Sequence, residues 1–82
     1  MNTTEEIHDR IQHWIVATFP LASQGVGIDD SLLDGGIIDS MGTLEVVQFL
    51  EDEFSIQIED EEMVADHFNS IRSIANLIQS KA

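Results

Sequence analysis

Asp39-Ser40-Met41-Gly42-Thr43-Leu44-Glu45-Val46-Val47-Gln48-Phe49-Leu50-Glu51-Asp52-Glu53-Phe54 is the stretch on which the fold turns. Its apolar positions recur at helical intervals. On a wheel of about 100° per residue, Thr43, Val46, Val47, Leu50 and Phe54 gather on one side, which must be core. The opposite side gathers Met41, Leu44, Glu45, Gln48, Glu51 and Asp52, so two apolar side chains stand among carboxylates on a solvent face. Asp39 has the chemistry of an N-cap, because its carboxylate can accept the free N–H groups of a first helical turn. The stretch therefore predicts a helix that starts at Ser40 and runs to Phe54.

Working outward toward the N-terminus, residues 20–39 carry Pro20, Gly25, Gly27, Gly35 and Gly36 around Asp30-Ser31-Leu32-Leu33. That composition reads as a long connection with one helical turn inside it, and a loop of this length in a small domain is usually functional. Before it, Thr3 and Glu6 have capping-box spacing, and Ile7, Ile11, Trp14, Ile15 and Thr18 repeat at helical intervals, predicting a helix from Thr4 to Phe19. Beyond Phe54, Ile56 and Ile58 alternate with polar residues over a stretch too short to build a sheet. Asp60 is the expected cap of a short acidic helix, Glu61 to Asp66, ending near His67-Phe68. Asn69 or Ser70 then caps a last helix with Ile71, Ile74, Ala75 and Ile78 on one stripe, reaching about Ser80. The expected fold is all-α: a single domain over residues 1–82, a small four-helix bundle with a short third helix and a long loop between helices one and two.

The chain has 82 residues and no cysteine, which excludes disulfides and thiolate metal sites and leaves it without a thiol of its own. Sixteen acids face three bases, Arg10, Arg72 and Lys81, for a net charge of -13. A field of that sign repels nucleic acid and anionic lipid and attracts basic protein surfaces. Apolar residues make up 43% of the chain and are periodic, so the acidity belongs to a folded domain rather than a disordered one. No basic-then-apolar leader and no membrane-length apolar run is present, and a cytoplasmic protein without membrane insertion is expected.

Ser40 stands at the mouth of a helix, where unpaired N–H groups and the helix dipole favour a phosphate ester on its hydroxyl, and Gly35 and Gly36 allow a sharp turn just before it. In most Asp-Ser pairs of arbitrary sequences the serine is only an ordinary first-turn residue. Met41 and Leu44 are likewise open to two readings, a docking surface or a cover over Ile37 and Ile38. Other chemistries fit less well. A calcium loop with Gly35 at its sixth position would have Leu32 at the third and Met41 at the twelfth, losing one oxygen ligand and the closing glutamate. A serine hydrolase would want glycine where Ile38 stands. His8, His13 and His67 read as surface or packing residues, and neither a metal site nor a catalytic group is expected.

Gly35-Gly36-Ile37-Ile38-Asp39-Ser40-Met41-Gly42, then Leu44-Glu45-Val46-Val47, Phe49-Leu50-Glu51 and Phe54-Ser55-Ile56, resembles the modification site and second helix of acyl and peptidyl carrier proteins. The likeness extends more weakly over the whole chain, and in motif it is closest to stand-alone aminoacyl or D-alanyl carriers. It implies a 4'-phosphopantetheine arm moved from coenzyme A onto Ser40 by a phosphopantetheinyl transferase, with Asp39 as the cap beside it. It also implies a monomeric carrier that catalyses nothing. Cargo would be held as a thioester, received from an adenylating or acyl-loading enzyme and handed to a downstream acyl or aminoacyl transferase or tailoring enzyme. Helix two, through Met41, Leu44, Glu45, Gln48, Glu51 and Asp52, is the expected partner face. Gly42 departs from the fatty-acid type, which commonly has an acid there, and an aminoacyl cargo is expected. The bundle also contains Trp14, Phe19, Phe49, Phe54 and Phe68, and if several of these fill its interior there is less room for an alkyl chain between the helices. Two alternatives remain at this stage: a fatty-acyl or polyketide carrier, and an acidic adaptor that docks through helix two without an arm.

Overall fold

Thr3 opens the first helix by accepting the N–H of Glu6 on its hydroxyl (3.2 Å), and α1 spans Thr4–Thr18 in the computed structural model, which describes residues 3–81. The helix stops one residue short of the expected Phe19. Phe19 is extended because it precedes Pro20, whose ring disfavours helical backbone at the preceding residue. A 3-10 turn, Pro20–Ala22, leads into the long connection. The expected helical turn is present as a single turn closed by Gly35 N–H on the Ser31 carbonyl, four residues back, followed by a tighter turn with Gly36 N–H on the Leu33 carbonyl, each at 3.1 Å. Gly36 has φ 76°, a backbone that L side chains rarely adopt.

α2 spans Ser40–Phe54, as its periodicity predicts. It ends at Ser55, which takes the left-handed conformation (φ 54°) where glycine is more usual. The expected third helix is broken in two: a 3-10 turn, Asp60–Glu62, and one α-turn, α3, Ala65–Phe68. Met63 and Val64 leave the helical region between them, and Met63 packs against the core. The capping residue is Glu59 rather than Asp60, its N–H donating to the Glu62 carboxylate (3.0 Å). α4 spans Ile71–Lys81, and Ser70 caps it by accepting the Ser73 N–H (3.1 Å).

The interior is built from one stripe of each long helix: Ile7, Ile11 and Ile15 of α1, Val46, Val47 and Leu50 of α2, and Ile71, Ile74, Ala75, Leu77 and Ile78 of α4. α1 and α4 pack directly on each other, and Phe68 closes the end under α3. The long connection is no loose strap, since Ala22, Val26, Leu32 and Ile38 insert into the same core. Burial of Val26, Leu32 and Ile38 contributes roughly 1.5–3 kcal/mol each, enough to hold a segment without regular structure. Among the described residues no polar or charged side chain is buried.

The condition that several aromatic residues fill the interior is not met. Only Phe68 is fully buried. Trp14 and Phe49 stack at 4.5 Å, Phe19 meets Trp14 edge-on at 5.6 Å, and Phe54 meets Phe49 edge-on at 6.3 Å, forming a half-buried ladder along the α1–α2 seam. Flat rings pair there by edge and face while keeping one side in water. Phe54 and Thr43, placed on the core side of the wheel, are thus only half-buried.

Candidate functional site

Asp39 lies in extended conformation immediately before α2, and its carboxylate Oδ1 accepts the Gly42 N–H at 2.7 Å. Its carbonyl receives both the backbone N–H (3.0 Å) and the hydroxyl (3.1 Å) of Thr43. These contacts fix the first turn, of which Ser40 is the first residue. The helix behind it is 15 residues long, so the positive end of a full macrodipole stands at that position.

Gly42 is buried, and the reason is steric. A Cβ there would lie 2.9 Å from both Ile38 Cγ2 and Phe19 Cε1 and 3.2 Å from Asp39 Oδ1. The helix start is therefore pressed against the end of α1 and against the residue preceding its own cap. A cleft of about 400 Å³ opens beside it between Phe19, Leu21, Gly36, Ile37, Met41 and Glu45, with Asp39 on its wall. Leu21 is 73% exposed and Met41 76%, so the cleft beside the start of α2 includes apolar side chains that the core does not use.

The solvent face of α2 is assembled much as the wheel predicts. Leu44 is 59% exposed, Glu45, Gln48 and Asp52 are exposed, and Gln48 Nε2 donates to Asp52 Oδ2 at 3.1 Å. The proposed cover over Ile37 and Ile38 leaves Met41 and Leu44 largely in water. Glu51 differs: it is half-buried, and its carboxylate accepts the Ile58 N–H (2.9 Å), tying the segment after α2 back to the helix. Leu44 also borders an apolar groove of about 300 Å³ with Leu33, Met63, Val64 and Phe68.

The acids that invited a calcium reading have other partners. Asp29 holds the Arg72 guanidinium through two bonds (2.6 and 3.1 Å), Asp30 accepts the Gly27 N–H (2.7 Å), and Asp34 accepts from Asn69 Nδ2 (3.3 Å). The Arg72 hydrogen bond holds the Asp29 carboxyl below its ordinary value. His67 Nδ1 lies 2.8 Å from the Glu62 carbonyl, His8 is half-buried and His13 exposed. No three metal-ligating side chains converge among the described residues.

A covalent phosphodiester needs a hydroxyl, and the residues present fit it: a serine on the first turn of a long helix, a capping carboxylate turned to the backbone, and an open cleft alongside. A family described as "Phosphopantetheine attachment site" matches residues 9–78. An acyl carrier protein of Buchnera aphidicola is 32% identical over 77 residues, covering 94% of both chains. A D-alanyl carrier protein of Streptococcus pyogenes is 33% identical over 52 residues, covering 63% of this chain and 66% of its own. That of Streptococcus sanguinis is 38% identical over 47 residues, covering 57% and 60%. With the family matched across most of its length, the chain belongs to the phosphopantetheine carrier proteins, and its prosthetic group is a covalently attached 4'-phosphopantetheine.

Proposed function

We propose that Ser40 is the attachment residue and that the chain carries a small aminoacyl cargo between enzymes without catalysing a step itself. The carrying observation is Asp39-Ser40 at the capped start of α2, inside the matched region. When attached, the 4'-phosphopantetheine supplies the terminal thiol, absent from the chain, on which cargo is held as a thioester. The chain's own residues position the root of the arm. Asp39 and Thr43 hold the first turn, Gly42 lets it seat against Phe19 and Ile38, and the α2 dipole favours the phosphate negative charge. Tethering then raises the cargo's effective concentration at each partner.

Two observations support an aminoacyl cargo. The motif is similar to that of D-alanyl carriers, and such carriers are among the relatives. An aminoacyl thioester also bears an ammonium, which is costly to place in an apolar interior and which the acidic surface attracts. A fatty-acyl cargo is the second reading, favoured by the long match to an acyl carrier protein and by the apolar groove between Leu33, Leu44, Met63 and Phe68. We also assign partner docking to Met41, Leu44, Glu45, Gln48 and Asp52, flanked by Leu21. Glu51 serves the chain's own fold. A phosphopantetheinyl transferase, a loading enzyme and a downstream transferase are the partners this role requires.

Incubation with coenzyme A, magnesium and a broad-specificity transferase should add one phosphopantetheinyl group by intact mass, and Ser40→Ala should abolish the addition with helicity unchanged. Transfer onto another residue, or none with an active transferase, would sink the assignment. Loading the modified carrier with an aminoacyl or an octanoyl group then separates the cargo readings. A chain buried in the fold raises the thermal midpoint, and a cargo in solvent leaves it unchanged. An octanoyl-dependent rise would overturn the aminoacyl reading.

A further inference from the structure

Asn69, at the junction of α3 and α4, holds the segment that leads into the attachment helix. Its Oδ1 accepts the N–H of Leu33 (3.2 Å) and, at longer range, that of Asp34 (3.4 Å). Its Nδ2 donates to Asp34 Oδ2 (3.3 Å), and its carbonyl accepts the Leu32 N–H (2.7 Å). One residue thus fixes three consecutive positions of a loop that precedes it by about 35 residues. Backbone and packing contacts pass the register on to α2. The Leu32 carbonyl accepts the Ile38 N–H (3.0 Å), Ile38 is buried against the Gly42 backbone, and Asp39 follows as the cap of α2. A second clamp, Arg72 on Asp29 and on the Ile28 carbonyl (2.9 Å), acts at the far end of the loop and leaves residues 32–38 to Asn69.

We infer that Asn69 is a positioning residue for arm transfer: through Leu32, Leu33 and Asp34 it sets where the start of α2 stands, and it ties that start to α3. The inference rests on Ser40 being the attachment residue. Two physical effects separate positioning from simple stabilisation. Leu33 is half-buried and Asp34 exposed, so their N–H groups can turn to water when the Asn69 side chain is removed, and the loss of stability is small. The reaction is far more sensitive, because a displacement of about 1 Å between reacting groups can cost roughly a hundredfold in rate.

The test compares arm transfer onto wild type, Asn69→Ala, Asn69→Asp and the exchange Asn69→Asp/Asp34→Asn, well below each thermal midpoint. Asn69→Ala should lower kcat roughly tenfold with a smaller change in the KM for the carrier, since of the docking residues only Met41 lies in the first turn of α2, and Leu44, Glu45, Gln48 and Asp52 lie beyond it. Asn69→Asp sets two carboxylates against each other and should be as slow. The exchange variant restores one acceptor and one donor with their places swapped, and should recover most of the rate. Transfer by Asn69→Ala at the wild-type rate, or an exchange variant as slow as Asn69→Asp, would overturn the inference. Amide spectra of the unmodified protein test it without any transferase. In Asn69→Ala, signals should shift at Leu33 and Asp34 and also at Met41 and Gly42, and shifts confined to the loop would overturn it. If wild type accepts no arm at Ser40, the attachment reading fails, while these spectra still decide the coupling.

Discussion

Gly42 shows how a single position is decided by two opposed magnitudes. Replacing a helical glycine with alanine ordinarily gains about 1 kcal/mol from backbone entropy, and less in the first turn. Here the new Cβ would lie 2.9 Å from the stiff Ile38 Cγ2 and from the Phe19 ring, and overpacking of this kind costs roughly 1–3 kcal/mol. The clash wins. Gly42→Ala should therefore lose about 1 kcal/mol, a fall of some 4–8 °C in thermal midpoint for a domain of this size. A urea titration giving an unchanged or higher midpoint would show that Phe19 and Ile38 yield without strain. The sequence offered Gly42 as a clue to cargo, because an acid is commoner there in fatty-acid carriers. Packing explains the glycine on its own terms, so it speaks for the architecture of the helix start before it speaks for the cargo.

At the scale of elements, α1, α2 and α4 were legible because each carries its own periodic stripe and its own cap: Thr3, Asp39 and Ser70. The region between α2 and α4 was not, because its bonds run to distant residues. Glu51 holds Ile58, and Lys81 pairs with Glu62 at 2.6 Å, which stabilises a 3-10 turn where acidity alone read as one helix. Asn69 has the chemistry of a cap, and nothing in its sequence neighbourhood marks it as the partner of Leu33 and Asp34. The aromatic ladder was missed for a related reason: a wheel assigns one core side per helix and does not see the seam between two. What remains open to partners on α2 is its first two turns with Glu45, Gln48 and Asp52. A Glu45→Lys/Asp52→Lys variant keeps the fold, since neither acid forms an ion pair among the described residues, and should slow association with a loading enzyme by about tenfold at low salt, with a smaller effect on dissociation. Stopped-flow association measured at two salt concentrations checks this, and equal rates for variant and wild type would remove α2 as the steering surface.

Over the whole molecule, sixteen acids are held within principal extents of 29 × 26 × 19 Å, and the three bases are each already engaged: Arg10 with Glu53, Arg72 with Asp29, Lys81 with Glu62. Two effects of salt then compete. Screening weakens the two exposed ion pairs, Arg10–Glu53 and Arg72–Asp29, which contribute roughly 0–1 kcal/mol each, and weakens the half-buried Lys81–Glu62 pair less. Screening also relieves the repulsion of a net charge of -13, which opposes the compact state. The screening length decides between them. At about 0.01 M it is roughly 30 Å, so every charge in the molecule acts on every other, whereas at 0.1 M it is about 10 Å and only neighbours remain coupled. Pairs in contact keep most of their attraction as salt is added, and the summed repulsion across the molecule does not. The thermal midpoint at pH 7 should therefore rise between 0.01 and 0.5 M sodium chloride, by about 5 °C if the relief amounts to about 1 kcal/mol. Acid acts with the other sign on the paired carboxylates. Asp29 and Glu62 are held below their ordinary values by Arg72 and Lys81, so their contribution is complete above about pH 4.5 and is lost as pH falls through their lowered values in the folded state. In 0.5 M salt, where repulsion is already screened, acidification below pH 4 should lower the midpoint. A midpoint that falls with added salt at pH 7 would mean that the three ion pairs outweigh the repulsion of the net charge.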